Sequence, residues 1–433
     1  MISQEIESHS PLVQNSLGAV LPHLQRAEGV WLYDTTGKDY LDGCSGAVVA
    51  NIGHSHPRVL ARIQEQAARV TYAHRGAFVT QQQIDLAQRL TQMTGFTGAW
   101  FVNSGSEAVE ATLQLAMQYH RERGEPRSHF VSHRTSYHGN TLGALSHSDH
   151  ARRSVIQGIE VSHDWLPSPY DPNQTADQLL HAARQVIESS REPIAGILFE
   201  PVSGASLSAR PLVDGYLAGL RELCDHHGIL LIADEVMTGL GRTGKNLACD
   251  HWSVKPDLVA LGKGLGAGYT PIAAALLNET ILDVITLGSG RILGGHTYGG
   301  NPLSVAVADE VLQVTLEQDL VAASANKGTL LHQHLKRLQS AFPTLVEEVH
   351  GKGLLQGVTL HAAADGEGIG STVEQLRLAC LEEGLIIYPA TGGFNDSFLV
   401  APPLTSTLEE IEELIRRLER AMSTLRDNLL AQE

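Results

Sequence analysis

From about Arg58 to Val314, short apolar runs bounded by turn formers alternate with longer segments whose apolar residues recur at helical spacing. The short runs Ala99–Val102, His129–Ser132, Ala195–Phe199, Ile229–Ala233, Leu258–Leu261 and Ile272–Leu277 read as strands, several of them apolar enough to be buried on both faces. Ile84–Thr91, Glu107–His120, Ala176–Ser189 and Tyr216–His226 read as helices. Strand and helix in alternation predict an α/β domain with a mainly parallel central sheet. Ahead of this block, Val30–Asp34 and Lys38–Asp42 flank Thr35-Thr36-Gly37 and predict a hairpin. Beyond about Leu320 the pattern changes. Helical runs Lys327–Ala341 and Thr372–Glu383 flank the apolar segments Leu354–Leu360, Leu385–Tyr388 and Phe398–Val400, and a last helix starts near Ser406. That stretch reads as a smaller α+β domain.

Two of the buried runs end in chemistry. Asp234-Glu235 follows Ile229–Ala233, and Lys263 follows Leu258–Leu261 among Gly262, Gly264, Gly266 and Gly268. In an open parallel sheet, ligands bind beyond the carboxyl ends of the strands, so an acid and a lysine there can face one crevice. A lysine amine condenses with an aldehyde to give a Schiff base, and pyridoxal phosphate supplies the aldehyde. That cofactor also needs an anion at its ring nitrogen, which Asp234 would provide. The alternatives are plain: a lysine in a glycine loop is usually solvated, and an Asp after a strand is usually a turn or cap. Gly239-Leu240-Gly241-Arg242-Thr243-Gly244 also matches the dinucleotide fingerprint, but that motif must open into an amphipathic helix, and none is predicted before Pro256.

Three further strand ends carry candidates. Asn103-Ser104-Gly105-Ser106-Glu107 opens a helix, with Ser104 and Glu107 spaced as a capping box. A helix start is equally an anion site, with Gly105 and Ser106 as donors. Tyr137-His138-Gly139 follows His129–Ser132, and Glu200 ends Ala195–Phe199.

Composition narrows the choice. The 433 residues carry a formal net charge of −17, which opposes nonspecific binding to nucleic acid or to acidic membranes. No apolar run approaches the length of a membrane span, and Met1–Glu7 shows no basic region ahead of a hydrophobic core, so neither a membrane anchor nor a signal peptide is expected. Cys44, Cys224, Cys249 and Cys380 are scattered, as expected of reduced thiols in a cytoplasmic protein. The 21 histidines include no HExxH, and His54-Ser55-His56 lacks a nearby third ligand, so no metal site is expected.

DEVMTGLGRTG followed by KPDLVALGKGLGAGYTPIAA resembles the class III (omega) aminotransferases, pyridoxal-phosphate enzymes of fold type I, and the resemblance covers nearly the whole chain. It implies an amino-terminal segment (1–57) packing with the small domain, a large cofactor-binding domain (58–320) and a carboxy-terminal small domain (321–433). It implies Lys263 as the Schiff-base lysine and Asp234 as the partner of the ring nitrogen. Ser104, Gly105 and Ser106 would hold the phosphate; Tyr137, with His138 beside it, and Val236 would cover the ring faces, with Glu200 in support. Thr297, in His296-Thr297-Tyr298-Gly299-Gly300-Asn301-Pro302, would cross to the other subunit of a homodimer and complete its phosphate site. The implied activity moves an amino group from an amine or omega-amino compound to a keto acid. An aminomutase, racemase or decarboxylase of the same fold would use the same lysine and aspartate, and a non-catalytic pyridoxal-phosphate-binding protein is a further alternative.

Two departures from the family bear on substrate. Met237 stands where many members carry a Gln bonded to the ring hydroxyl. Asn140 and Tyr388 occupy the places where many members have a carboxylate-binding arginine. Arg75 and Arg210 are the remaining candidates for that task, a surface salt bridge being the other role open to Arg75. An amine donor and a small keto acid acceptor are therefore expected.

Overall fold

The computed structural model describes Val13, residues 20–361 and residues 371–430. The rest of the expected amino-terminal segment up to residue 19, including Met1–Glu7, lies outside the described residues, as do 362–370 and 431–433.

A seven-stranded sheet organises the chain. Across it run Gly98–Val102, Ala273–Leu277, Leu258–Leu261, Leu230–Asp234, Ile194–Phe199, His129–His133 and His163–Leu166. The last five pair parallel, joined through helices such as Ala176–Ser189 and Tyr216–His227. Ala273–Leu277 runs antiparallel to both neighbours. The reason is local. Its connection from Leu261 contains only the short 3₁₀ turn Lys263–Leu265, and a parallel return would need a full crossover helix. The edge strand His163–Leu166, only partly buried and carrying His163 and Asp164, gives no apolar run and was not among the expected strands.

Two smaller sheets stand beside this one. Leu24–Glu28, Trp31–Asp34 and Asp39–Asp42 form an antiparallel ribbon, to which Leu385–Ile386 adds a parallel strand. Val346–Lys352, Leu355–Leu360, Ser397–Val400 and Tyr388–Pro389 form the other, wholly antiparallel. The apolar segment Leu385–Tyr388 is thus divided between two sheets. The helix Pro302–Glu317 joins the cores. Val305, Ala308 and Leu312 pack with the apolar residues of the large sheet, whereas Val307, Val311 and Val314 pack with those around the small sheets. Such a position calls for apolar residues on two faces of one helix, which the run Val305–Val314 supplies around the paired acids Asp309 and Glu310.

Candidate active site

The carboxyl ends of the parallel strands meet in one pocket. Leu230–Asp234 delivers Asp234 as its final residue, and the next strand delivers Lys263 after a single glycine. Asp234 is buried. Its Oδ2 lies 2.9 Å from His138 Nδ1, and its Oδ1 accepts from the Val236 backbone N–H at 3.1 Å. The other ring nitrogen of His138, Nε2, is buried without a hydrogen-bond partner.

Lys263 holds a left-handed φ of 39°, uncommon for a side-chain-bearing residue, at the start of its short turn. Part of its surface opens into the pocket, yet protein surrounds it closely enough that poor solvation brings its pKa from 10.5 to about 8, against the pull of Asp234 and Glu200. Glu200 is buried in the same wall. Its Oε2 accepts from the Tyr137 N–H at 3.0 Å and its Oε1 from the Gly204 N–H at 2.8 Å. Desolvation pushes its carboxyl up to about 7, with His138 opposing and Asp234 adding to the shift.

Gly105 and Ser106 begin the helix Gly105–Glu122 and line the pocket opposite. A Cβ at Gly105 would stand 2.7 Å from Val236 Cγ1, so only glycine lets the helix start approach the strand end this closely. Ser104 caps the helix by accepting from the Glu107 N–H, but it does not line the pocket. The expected capping box is incomplete. The Glu107 carboxylate reaches one residue further back, to the Asn103 N–H at 2.7 Å and Nδ2 at 2.9 Å. Tyr137, His138, Val236 and Met237 also line the pocket, together with Gly204 and Ala205, which carry no motif, and Thr238, which lies in DEVMTGLGRTG but was given no role in the sequence.

The remaining candidates lie elsewhere. Glu235 points away from the pocket, accepting from the Ala248 and Cys249 N–H groups, each at 2.9 Å, and from the Thr238 hydroxyl. Asn140 is exposed and donates its backbone N–H to Ser106 Oγ at 2.9 Å. Arg210 is committed to Glu348 at 2.7 Å. Arg75 forms no ion pair among the described residues; its guanidinium lies 4.5 Å from the centre of the Trp100 ring and bonds the His296 carbonyl at 3.4 Å. Thr297 is exposed, away from the pocket of its own chain. Among the described residues no cluster of three or more His, Cys, Asp or Glu side chains could hold a metal, and no helix is long and apolar enough to cross a membrane.

The family model described as Aminotransferase class-III matches residues 13–422. The chain belongs to the class III aminotransferases. It is 38% identical over 440 residues to the uncharacterized aminotransferase YodT of Bacillus subtilis (strain 168), covering 97% of this chain and 99% of that one. It is 32% identical to the acetylornithine aminotransferase of Agrobacterium fabrum, covering 97% and 98%. A solved amine transaminase from an uncultivated Pseudomonas species, in its PLP-bound form, superposes with a TM-score of 0.88 at 31% identity, covering 97% and 99%. The fold is therefore fold type I, the cofactor pyridoxal phosphate, and the reaction transfer of an amino group between an amine and a keto acid.

The residues of the pocket fit that cofactor. An amine with a depressed pKa, a buried carboxylate, a helix start and a second carboxyl poised near neutrality together match an aldehyde, a pyridine nitrogen, a phosphate and a ring hydroxyl.

Proposed function

We propose that this aminotransferase holds pyridoxal phosphate on Lys263 and takes its amino group from an amine, or from an amino group on a larger molecule, in preference to a plain α-amino acid. The observation that carries this reading is the meeting of Lys263, Asp234 and Glu200 in one pocket with the helix start at Gly105. When bound, the cofactor supplies an aldehyde for amine exchange and a ring that absorbs charge as the substrate loses its proton.

The chain's own residues do the rest. Lys263, with its pKa near 8, would take the proton from the substrate carbon and return it on the other side of the exchange. Asp234, oriented by His138 Nδ1, would keep the ring nitrogen protonated. Gly105 and Ser106 would donate to the phosphate, with Ser104 holding the helix start in shape. Tyr137 and Val236 would bound the ring on its two faces. Glu200, poised between its charged and neutral forms near pH 7, can accept or donate a hydrogen bond at the ring hydroxyl. Met237 cannot donate at all.

Donor preference follows from charge. Among the described residues no guanidinium lines the pocket itself, and Arg210 and Arg75 are engaged by Glu348 and Trp100. Among the residues lining the pocket a donor carboxylate therefore finds no forked partner, so an amine without a carboxylate forgoes nothing there. The same pocket serves both half-reactions, so the amino acid formed from the acceptor is itself a donor in reverse.

Assembly and organisation belong to the same proposal. The homodimer, with Thr297 crossing between subunits, is supported by the exposure of Thr297 beside Tyr298, which is 64% exposed and edge-on to Tyr72. The division into 1–57, 58–320 and 321–433 is supported by the separate sheets and apolar cores. Four free, buried cysteines are in keeping with a cytoplasmic location.

One titration tests the reading. Amines without a carboxylate, added to the holoenzyme, should discharge the cofactor absorbance, a keto acid should restore it, and Lys263→Ala should do neither. If ornithine, 4-aminobutyrate or acetylornithine proved the best donor by about tenfold in kcat/KM, the donor assignment would be wrong.

A further inference from the structure

A guanidinium stands at the edge of this pocket with no carboxylate to hold it. Arg152 lies on the short 3₁₀ segment Ala151–Ile156, whose start is capped when His150 Nδ1 accepts the Arg152 backbone N–H at 3.2 Å. Its Nη1 lies 3.3 Å from the Tyr137 hydroxyl, and its guanidinium carbon is 5.6 Å from the Tyr137 ring centre. Tyr137 is a wall of the pocket, so Arg152 sits at the outer tip of that wall.

The surroundings hold it in place without neutralising it. The His150 ring packs against Tyr137 with centres 4.9 Å apart, and His150 Nε2 meets Thr391 Oγ1 at 3.1 Å, joining this turn to the chain beyond Tyr388–Pro389. Burial raises the Tyr388 phenol above the ordinary value although the nearby charge of Arg152 opposes the shift, so it stays a neutral neighbour. Arg153 pairs with Glu160 and Arg134 with Asp149, yet Arg152 makes no ion pair among the described residues. A guanidinium has five donors, and most of these remain for an anion arriving at the mouth.

We propose that Arg152 receives the carboxylate of the keto-acid acceptor, with Tyr137 and Tyr388 framing the approach. This rests on the aminotransferase reading above and adds the group that selects the second substrate. It gives a role to a residue outside both expected arginine places; the amino acid formed from the acceptor uses the same contact in reverse, while amine donors without a carboxylate have no need of it.

The test compares Arg152→Leu and Arg152→Lys holoenzymes with the unaltered enzyme in the second half-reaction, using 2-oxobutyrate and propanal, which differ by the carboxylate alone. Loss of one charge-assisted, forked contact should lower kcat/KM for 2-oxobutyrate by roughly 10- to 100-fold in Arg152→Leu, chiefly through KM. Propanal should change by less than about threefold, and Arg152→Lys should recover part of the loss through charge without the fork. Equal losses for both acceptors would make Arg152 a prop for Tyr137 and overturn the proposal, as would no loss for either. An unaltered enzyme silent toward every amine would instead strike at the aminotransferase reading, independently of Arg152.

Discussion

Lys263 owes its reactivity to poor solvation more than to any single neighbour. Desolvation lowers its pKa to about 8, while Asp234 and Glu200 both favour the ammonium form. Only the neutral amine attacks an aldehyde, so the sign follows. Capture of pyridoxal phosphate by apo-enzyme should speed up by about tenfold per pH unit below 8 and flatten by about pH 9, whereas an ordinary lysine would continue to gain until about 10.4. Asp234→Asn removes a charge that holds the proton on Lys263, so its midpoint should fall. Stopped-flow absorbance over pH 6 to 11, about the range needed to bracket both values, measures this, and a rate still climbing at the top would contradict the burial argument. At this scale the acid and the lysine were legible because each ends an apolar run. Arg152 was not legible. Nothing in His150-Ala151-Arg152-Arg153 marks which arginine is committed to a carboxylate, and only the packing of Tyr137 against His150 separates the two.

Between Asp234 and the strand Leu258–Leu261 runs an irregular segment that must be held rigidly for Asp234 and Lys263 to keep their places. Glu235 fastens the start of the Ala248–Trp252 turn by its two N–H acceptances. Arg242, fully buried, donates to the Leu354 and Pro402 carbonyls at 3.0 and 2.6 Å and to Ser45 Oγ and Asn51 Oδ1 at 3.1 and 2.8 Å. Burial lowers its pKa to about 9, so it remains charged at neutral pH. One side chain thus joins this segment to the chain near residue 50 and to one end of the paired strands Leu355–Leu360 and Ser397–Val400. Arg242→Met would leave the Leu354 and Pro402 carbonyls and Asn51 Oδ1 unpaired, the Ser45 hydroxyl keeping its bond to the Ala401 carbonyl, at a cost on the order of 3 kcal/mol or more, read from the denaturant midpoint. An unchanged midpoint would remove Arg242 from this role. The sequence presented Arg242 only as part of a glycine-rich match, since burial of an arginine leaves no periodic trace. The same limit applied to strands. Leu230–Asp234 and Leu258–Leu261 were visible as apolar runs, whereas the largely exposed strand Leu24–Glu28 had no alternation to read. The antiparallel sense of Ala273–Leu277 depends on the length of a connection, which the apolar pattern does not encode.

On the scale of the whole molecule, the helix Pro302–Glu317 couples the two cores, and the loop just before it carries Thr297 on the outside. Around that loop Phe78 and Val79 are each 70% exposed and Leu293 is 48% exposed, while Tyr72 meets Tyr298 edge-on at 6.4 Å. Apolar surface of this kind beside a conspicuous polar residue suits a subunit interface. If Thr297 serves the other subunit, each pocket draws Lys263 from one chain and Thr297 from its neighbour. Lys263→Ala alone should be inactive. Thr297→Ala alone should bind the cofactor roughly 10-fold more weakly or worse, through loss of a hydrogen bond to a charged group, and be nearly inactive at limiting cofactor. Co-expression of the two variants separates the arrangements. With crossing, a mixed dimer holds one doubly altered pocket and one intact pocket, and so regains up to about half of normal activity per dimer at limiting cofactor. Without crossing, its pockets are one Lys263→Ala and one Thr297→Ala, and nothing is regained. Purifying the mixed dimer through two different tags and titrating pyridoxal phosphate would decide between them: recovery of a tight site places Thr297 across the interface, and its absence confines the whole phosphate site to one chain.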